Sequence, residues 1–429
     1  MKQNKARVLA FYLPQFHPTP ENDAWWGKGF TEWTNVGKAK PLFRGHYQPQ
    51  VPADLGYYDL RVPETRVAQA DMAREYGVEG FCYWHYWFGN GRRLLDRPFT
   101  EVLESGNPDF PFCLAWANHS WHGIYCGVKS KEPLIEQTYN GLSDYEHHFY
   151  DVLPAFKDKR YITVDGKPFF LVFSPLEIPD PKEFIDCWQQ LAIRNGLKGI
   201  HFVAHTYKAE NIDLLLSRGF DAVNVVRLFD YQRHGLSVFK MAVNKIKREF
   251  FKHGFWCEYK DAMKFFSGKE DVQENVYPTV VPNWDHSPRT GKFGVILKNS
   301  SPGLFRKHVE KVLDSVDHKA DEHKVVILKS WNEWAEGNYM EPDLKHGRGY
   351  LEALKEPDIN YISIKLSGIY AQIHSLSYEQ NKKELCELVA IIYQQAIDYP
   401  YTDQEGVTRP KFVNLDMEEY KDTHLTLDV

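Results

Sequence analysis

Apolar residues along the chain recur in eight short runs, separated by longer polar or amphipathic stretches. The runs are residues 7–14 (RVLAFYLP), 78–87 (VEGFCYWHYW), 111–118 (PFCLAWAN), 168–173 (PFFLVF), 199–207 (GIHFVAHTY), 220–226 (FDAVNVV), 279–285 (TVVPNWD) and 325–334 (VVILKSWNEW). Continuous apolar runs of this length predict strands covered on both faces, as parallel strands are. Between several of them lie helical patterns: residues 63–76 open on a proline and stop at Gly77, residues 180–195 stop at Gly196, and residues 304–316 form a third. Proline at the start and glycine just past the end is the asymmetry of helix boundaries. Strand–helix alternation repeated about eight times predicts a (β/α)8 TIM barrel with long βα loops. A doubly wound open sheet is the alternative, but no glycine fingerprint follows the first run.

Each predicted strand changes character toward its end. Aliphatic residues come first and polar or aromatic ones close it: Tyr12 and Gln15, His85 and Tyr86, Trp116 and Asn118, His205 and Tyr207, Asn283 and Trp284, and Glu333. In a barrel the C-terminal strand ends and the loops after them form the active face. Two segments fall outside the repeat. Residues 228–273 are a long insertion between the sixth and seventh strands, with a basic stretch at 240–252. Residues 357–429 are a C-terminal extension with a helical pattern at 382–397 and a polar tail, which leaves residues 1–356 as the catalytic barrel.

Charge and composition narrow the function. Lysine plus arginine (52) against aspartate plus glutamate (58) gives −6, which lacks the basic footprint of a nucleic-acid binder. The 43% hydrophobic and 26% charged residues are globular proportions and exclude a disordered chain. Six cysteines (Cys82, Cys113, Cys126, Cys187, Cys257, Cys386) occur without any C-x-x-C and read as reduced thiols. The apolar stretch at 8–13 stops at Pro14, too short for the core of a signal peptide, and no run reaches the length of a membrane span. The expectation is a soluble, cytoplasmic protein. Its aromatic load is high, with 12 Trp, 25 Tyr and 27 Phe clustered in a few short stretches.

The sharpest chemical signal is residues 331–342, WNEWAEGNYMEP, where Glu333 and Glu336 stand three apart at the end of the last strand. On a continued strand that odd spacing would send them to opposite faces, so both can serve one site only if the chain turns after Glu333; Gly337 favours such a turn. Glycosidic cleavage needs one carboxylic acid and a second carboxylate as base or nucleophile. A carboxyl set among tryptophans is poorly solvated, which raises its pKa and suits it to be the acid. As an isolated pattern E-x-x-E is most often a surface turn; the tryptophans and the strand end favour catalysis here.

Sugar rings stack their C–H faces on aromatic side chains and offer hydroxyls to polar ones. Residues 83–88 (YWHYWF) provide both, although alternation leaves open which face lines a pocket and which fills the core. A further cluster follows the first strand: Gln15, His17, Trp25, Trp26, Glu32 and Trp33, either packed over the barrel or walling the pocket. His201 and His205, and His119 and His122, read as single neutral histidines rather than metal ligands. Neither a Walker nor a Rossmann glycine motif is present. No cofactor or metal is expected. The 240–252 stretch is either a solvated helical face or a contact for an anionic or lipid-linked glycan.

Residues 11–18 (FYLPQFHP), 25–33 (WWGKGFTEW), 80–88 (GFCYWHYWF) and 331–342 together resemble the WbsX-like group, which is similar to the family 99 glycoside hydrolases. The likeness covers residues 6–355 and implies a (β/α)8 barrel acting without metal, endo and with retention, on α-linked mannose-type or related polysaccharide. It implies that the sugar's own 2-hydroxyl attacks to form a 1,2-anhydro intermediate, with Glu333 assisting as base and Glu336 as general acid/base. WbsX-like proteins also carry a glycosyltransferase label, so transfer in surface-polysaccharide assembly is the alternative reaction, and a non-catalytic carbohydrate-binding barrel is a third reading. Tyr12, Gln15, His17, Trp33, His85, Tyr86, Trp116, Asn118, His205, Tyr207, Asn283, Trp284, Trp331, Asn332 and Glu341 are the expected substrate contacts. Oligomeric state is not legible in the sequence.

Overall fold

A computed structural model describes residues 6–123, 132–236 and 255–355, with 361–365, 378–398, 400–402, 408–410 and 412–416 in the C-terminal segment. Eight parallel strands form the centre: β1 (Arg7–Tyr12), β2 (Gly80–Trp87), β3 (Phe112–Trp116), β4 (Lys167–Val172), β5 (His201–Thr206), β6 (Ala222–Val225), β7 (Val276–Val280) and β8 (Val325–Leu328). Each pairs with the next, and β8 returns to β1 with Arg7 opposite Val325 and Ala10 opposite Leu328. The sheet is closed, and the chain is a (β/α)8 TIM barrel.

Closure explains the unbroken apolar runs. All eight residues of β2 are buried, because one face meets the barrel interior and the other meets helices. The outer layer includes helices Pro63–Glu75, Leu142–Phe156, Pro181–Arg194 and Pro302–Val316. Two of these begin where their sequence provides a cap: Asp180 accepts from Glu183 N, and Ser301 accepts from Leu304 N. Trp188, fully buried, seats its helix by packing against Phe170 of β4 at 4.8 Å and Phe202 of β5 at 6.0 Å between ring centres. Truncating such a residue typically costs about 3–5 kcal/mol.

The seventh strand starts earlier than the hydrophobic pattern suggests, at Val276 rather than at residue 279, and ends at Val280. Residues 281–285 follow it as a loop. The insertion supplies a second small core, in which Leu228, Cys257, Tyr259 and Phe266 pack with Trp284. Within it, Phe255–Glu258 pairs in parallel with Val295–Lys298. The basic stretch at 240–252 and Cys126 lie outside the described residues; the other five cysteines are free thiols.

Two compact units divide the chain, 1–355 and 356–429. The second contains a helix, Tyr378–Asp398, and a parallel pair of strands, Tyr361–Lys365 with Phe412–Asp416. Among the described residues no helix is long and apolar enough to cross a membrane.

Candidate active site

Beyond Leu328 the last strand exchanges aliphatic for polar residues, and the chain turns. Asn332–Glu333 pairs antiparallel with Asn338–Tyr339, and the 3-10 turn Trp334–Glu336 lies between them. Gly337 closes that turn at φ +59°, a left-handed conformation that glycine adopts without penalty. The Asn332 amide clamps the turn to the end of β1, accepting from Leu13 N at 2.7 Å and donating to Leu13 O at 3.0 Å. The Trp334 ring stacks on Tyr339 with 3.7 Å between centres. The turn required by the spacing of the two glutamates is therefore present, and it brings both to one partner.

That partner is Arg289, on the short helix Ser287–Thr290 in the loop beyond β7. Its Nη1 donates to Glu336 Oε1 at 2.5 Å, its Nη2 to Glu333 Oε2 at 3.1 Å, and its Nε to Glu32 Oε2 at 3.1 Å. His286 Nε2 lies 3.7 Å from the same Glu336 oxygen. Lys329, 4% exposed, places its ammonium 5.3 Å from the centre of the Trp284 ring and 5.9 Å from that of Phe11. Burial disfavours its charge, but Tyr207, Glu336 and Glu333 more than offset this and hold its pKa above the ordinary lysine value.

The two carboxyls differ in proton affinity. Burial, and then the neighbouring Glu336, push Glu333 up to about 8 against the pull of Arg289 and Lys329. Burial also acts on Glu336, but Arg289, Lys329 and His286 outweigh it and hold this carboxyl below the usual range. The two carboxyls titrate as an interacting pair, and their surroundings favour the proton on Glu333 over Glu336. The raised pKa expected of the carboxyl that serves as acid thus falls on Glu333, and not on Glu336, the general acid/base that the resemblance implies. The shortest Arg289 bond and His286 both fall on Glu336, and sequence did not disclose either partner.

Several expected residues gather around this centre. Tyr86 feels the charges of Glu333, Arg289, Glu32 and Glu336, and its ring meets Trp121 edge-on at 5.1 Å, with Trp25 a further 6.0 Å along. Tyr207 lies beside Lys329 and both glutamates. His205 faces the barrel interior, 5.0 Å from the Tyr207 ring. Its Nδ1 is 2.8 Å from Asn224 Oδ1, and because the Asn224 amide donates to Tyr277 O and Thr279 Oγ1, that oxygen must accept. Nδ1 is therefore the donor, and burial keeps the ring neutral, its pKa pushed down to about 3. Nε2 is left as a buried acceptor without a protein hydrogen-bond partner among the described residues. Gln15 O accepts from Glu32 N at 3.2 Å and so carries the loop that presents Glu32.

Other expected contacts belong to the wall. His85 points outward from β2 and pairs its Nε2 with His148 Nε2 at 2.8 Å, on helix Leu142–Phe156. Trp116 also faces outward, donating to Trp87 O. Asn118 joins two loops through Ser174 and Tyr139. Tyr12 donates to Gln69, which in turn donates to Glu341, a carboxylate also bonded by Tyr58 and Trp334. His17 bonds Pro14 O, Trp33 donates to Tyr58 O, and Trp331 packs on Phe81 at 5.3 Å. Asn283 lines a neighbouring polar cleft with His46, Gln50 and Asp285. These positions organise the site or its surroundings rather than meeting the carboxylate pair.

Arg289 carries no motif that would have singled it out. Lys329 did leave a signal, a lone lysine inside the apolar run of the last strand. Among the described residues no cluster of three or more His, Cys, Asp or Glu could hold a metal ion. His201 bonds Tyr277 OH at 2.9 Å, four residues before His205 on the same face of β5.

The family model described as glycosyltransferase WbsX matches residues 8–354. A protein of Xanthomonas campestris pv. campestris strain ATCC 33913, named uncharacterized protein WxcX, is 35% identical over 354 residues, 82% of this chain and 49% of the relative. Its counterpart in strain B100 matches equally. The chain spans about half the length of the curated relatives it matches. Among solved structures, the GH99 endo-alpha-mannosidase of Bacteroides thetaiotaomicron is similar with a TM-score of 0.52 at 14% identity, over 82% of this chain and 96% of that one. A structure described as a glycoside hydrolase-like protein gives 0.51 at 14% identity, over 83% and 94%. At such identity the likeness is one of fold.

Proposed function

The chain belongs to the glycosyltransferase WbsX family, and from that premise we propose that it is a carbohydrate-active enzyme that cleaves glycosidic bonds within α-linked mannose-type or related polysaccharide, with retention of configuration. One observation carries this reading: two carboxyls held by adjacent donors of one guanidinium, in the turn after the last barrel strand, with pKa values pushed in opposite directions. Glycoside cleavage requires one carboxyl that gives a proton and one that takes it.

In the reacting complex Glu333 accepts the proton of the substrate's 2-hydroxyl, whose oxygen attacks the anomeric carbon. The bond to the leaving oxygen breaks, and that oxygen takes a proton from Glu336. Water then opens the 1,2-anhydro ring at the anomeric carbon, returning a proton to Glu336, while Glu333 returns its proton to the sugar. The cycle needs one proton on the pair, carried by Glu336 at the moment of cleavage, whereas the free site favours it on Glu333. The His205 Nε2 acceptor and the Tyr86–Trp121–Trp25 wall suit a sugar's hydroxyls and its C–H face.

A second reading follows from the family's name: with a sugar hydroxyl in place of water, the same intermediate yields transfer. The test is incubation with α-mannose-linked oligosaccharides without nucleotide sugar, following reducing ends and the anomeric configuration of the first product by proton NMR. Release of α-configured ends supports hydrolysis. Product that forms only when a nucleotide sugar is supplied would overturn it.

A further inference from the structure

The Arg289 guanidinium spends Nε, Nη1 and Nη2 on three carboxyls, and each comes from a different part of the chain. Glu32 stands at the start of helix Glu32–Lys38, while Glu333 precedes and Glu336 ends the 3-10 turn after β8. Resting on the glycan-cleaving reading above, we propose that Arg289 is a positioning residue: anchored by Glu32, its fork sets the geometry of Glu333 and Glu336 and selects which of them keeps the proton in the resting site.

Only arginine offers this planar row of donors; a lysine is a point charge that cannot hold three carboxyls in one plane. The grip is also uneven. Nη1 lies 2.5 Å from Glu336 and Nη2 3.1 Å from Glu333, so the stronger charge-assisted bond favours ionised Glu336. The other charged or titratable groups facing the pair are Lys329 at the end of β8, His286 beside Arg289, Tyr86 on β2 and Tyr207 after β5. Lys329 is near both carboxyls, whereas the uneven fork and His286 distinguish one from the other. For Glu336 to protonate a leaving oxygen, the Nη1 bond must loosen and the fork must shift its weight to Glu333. Glycan entry and proton relocation then meet at one side chain.

The test uses no substrate. Protein with 13C-labelled glutamate carboxyls is titrated by NMR as wild type, Glu333→Gln, Glu336→Gln, Arg289→Gln and Arg289→Lys, the Gln variants of the pair assigning its signals. An opposite charge at this range lowers a carboxyl by about 1–3 pH units, so Arg289→Gln should raise the Glu336 titration by that amount. Arg289→Lys should raise it by less, because one cation remains. Glu341, a buried carboxyl held by Tyr58, Gln69 and Trp334, should not move. Unmoved Glu333 and Glu336 titrations in a folded Arg289→Gln protein would overturn the proposal, as would Glu341 moving with them. Should Arg289→Gln fail to fold, Arg289→Lys decides by the same signals. A shifted titration in a protein that cleaves no glycan would reject the hydrolase reading and leave the role of Arg289 standing.

Discussion

A Cβ on Gly337 would stand 2.7 Å from the Cβ of Asp285 and 2.9 Å from its backbone nitrogen. Neither side can yield easily. Asp285 N donates to Glu336 O at 2.6 Å, and the Asp285 carboxylate meets His46 Nε2 at 2.6 Å, Gln48 Nε2 at 2.7 Å and Ser287 N at 3.0 Å. The β7 loop carrying Arg289 is thus locked against the β8 turn carrying the two glutamates. Gly337→Ala adds left-handed strain of about 1–2 kcal/mol to this clash. We expect a melting point lower by a few degrees and turnover lower by about 100-fold, since small misplacements of reacting groups are that costly. Thermal unfolding and glycan turnover measured on one preparation check this; normal turnover would show that the contact does not position the site.

The barrel was legible because closure buries strands on both faces, and that leaves runs such as residues 80–87 buried throughout. The same property hid the site. With every position of β2 apolar or aromatic, alternation could not tell His85, which faces helix Leu142–Phe156, from Tyr86, which faces the glutamates. The glutamate pair and its turn were readable from spacing and Gly337, whereas the protonation order was not. It depends on Arg289, which is 44 residues from Glu333 and 257 from Glu32 in the chain. Charges that meet only through tertiary structure leave no local pattern.

His85 offers a direct check of that distinction. Removing it leaves the His148 Nε2 without its partner, in a wall where Trp87 stacks on the His148 ring at 4.8 Å. His85→Ala should cost about 2–4 kcal/mol from the lost partner and the cavity. KM and kcat should stay within about twofold of wild type at a temperature where the variant is folded. A KM raised tenfold with unchanged stability would place His85 in contact with substrate after all.

The contribution of Glu333 to stability should fall as pH rises through neutrality. Glu333 in the folded protein binds its proton up to about 8, whereas the unfolded chain releases it near the ordinary value of 4.5. Between those limits the native state holds the extra proton, so each rise in pH favours unfolding, by at most about 1.4 kcal/mol per pH unit for one group. Glu341, which burial pushes up to about 7 against the bonds from Trp334, Gln69 and Tyr58, acts in the same sense over a narrower window. Glu333→Gln mimics the protonated carboxyl, so its stability advantage over wild type should widen from about pH 5 to pH 8. Urea unfolding across that range measures the gap. A constant gap would mean that Glu333 is ionised throughout.

Leaving-group dependence separates the two glutamates. A natural glycan departs as an alkoxide equivalent and needs a proton, whereas an aryl or fluoride leaving group departs unaided. Glu336→Gln, lacking the acid, should slow glycan cleavage by about 10²–10⁴-fold and affect the activated substrate much less. Glu333→Gln, lacking the base that generates the nucleophile, should slow both. The raised pKa of Glu333 makes the opposite assignment the natural competitor, because a raised pKa suits a carboxyl to act as the acid. Turnover of both substrate types by both variants decides between them. If Glu333→Gln is the variant rescued by an activated leaving group, then the carboxyl with the raised pKa supplies the proton. Glu333 is then the acid, and Arg289 keeps Glu336 ionised as the base throughout the reaction.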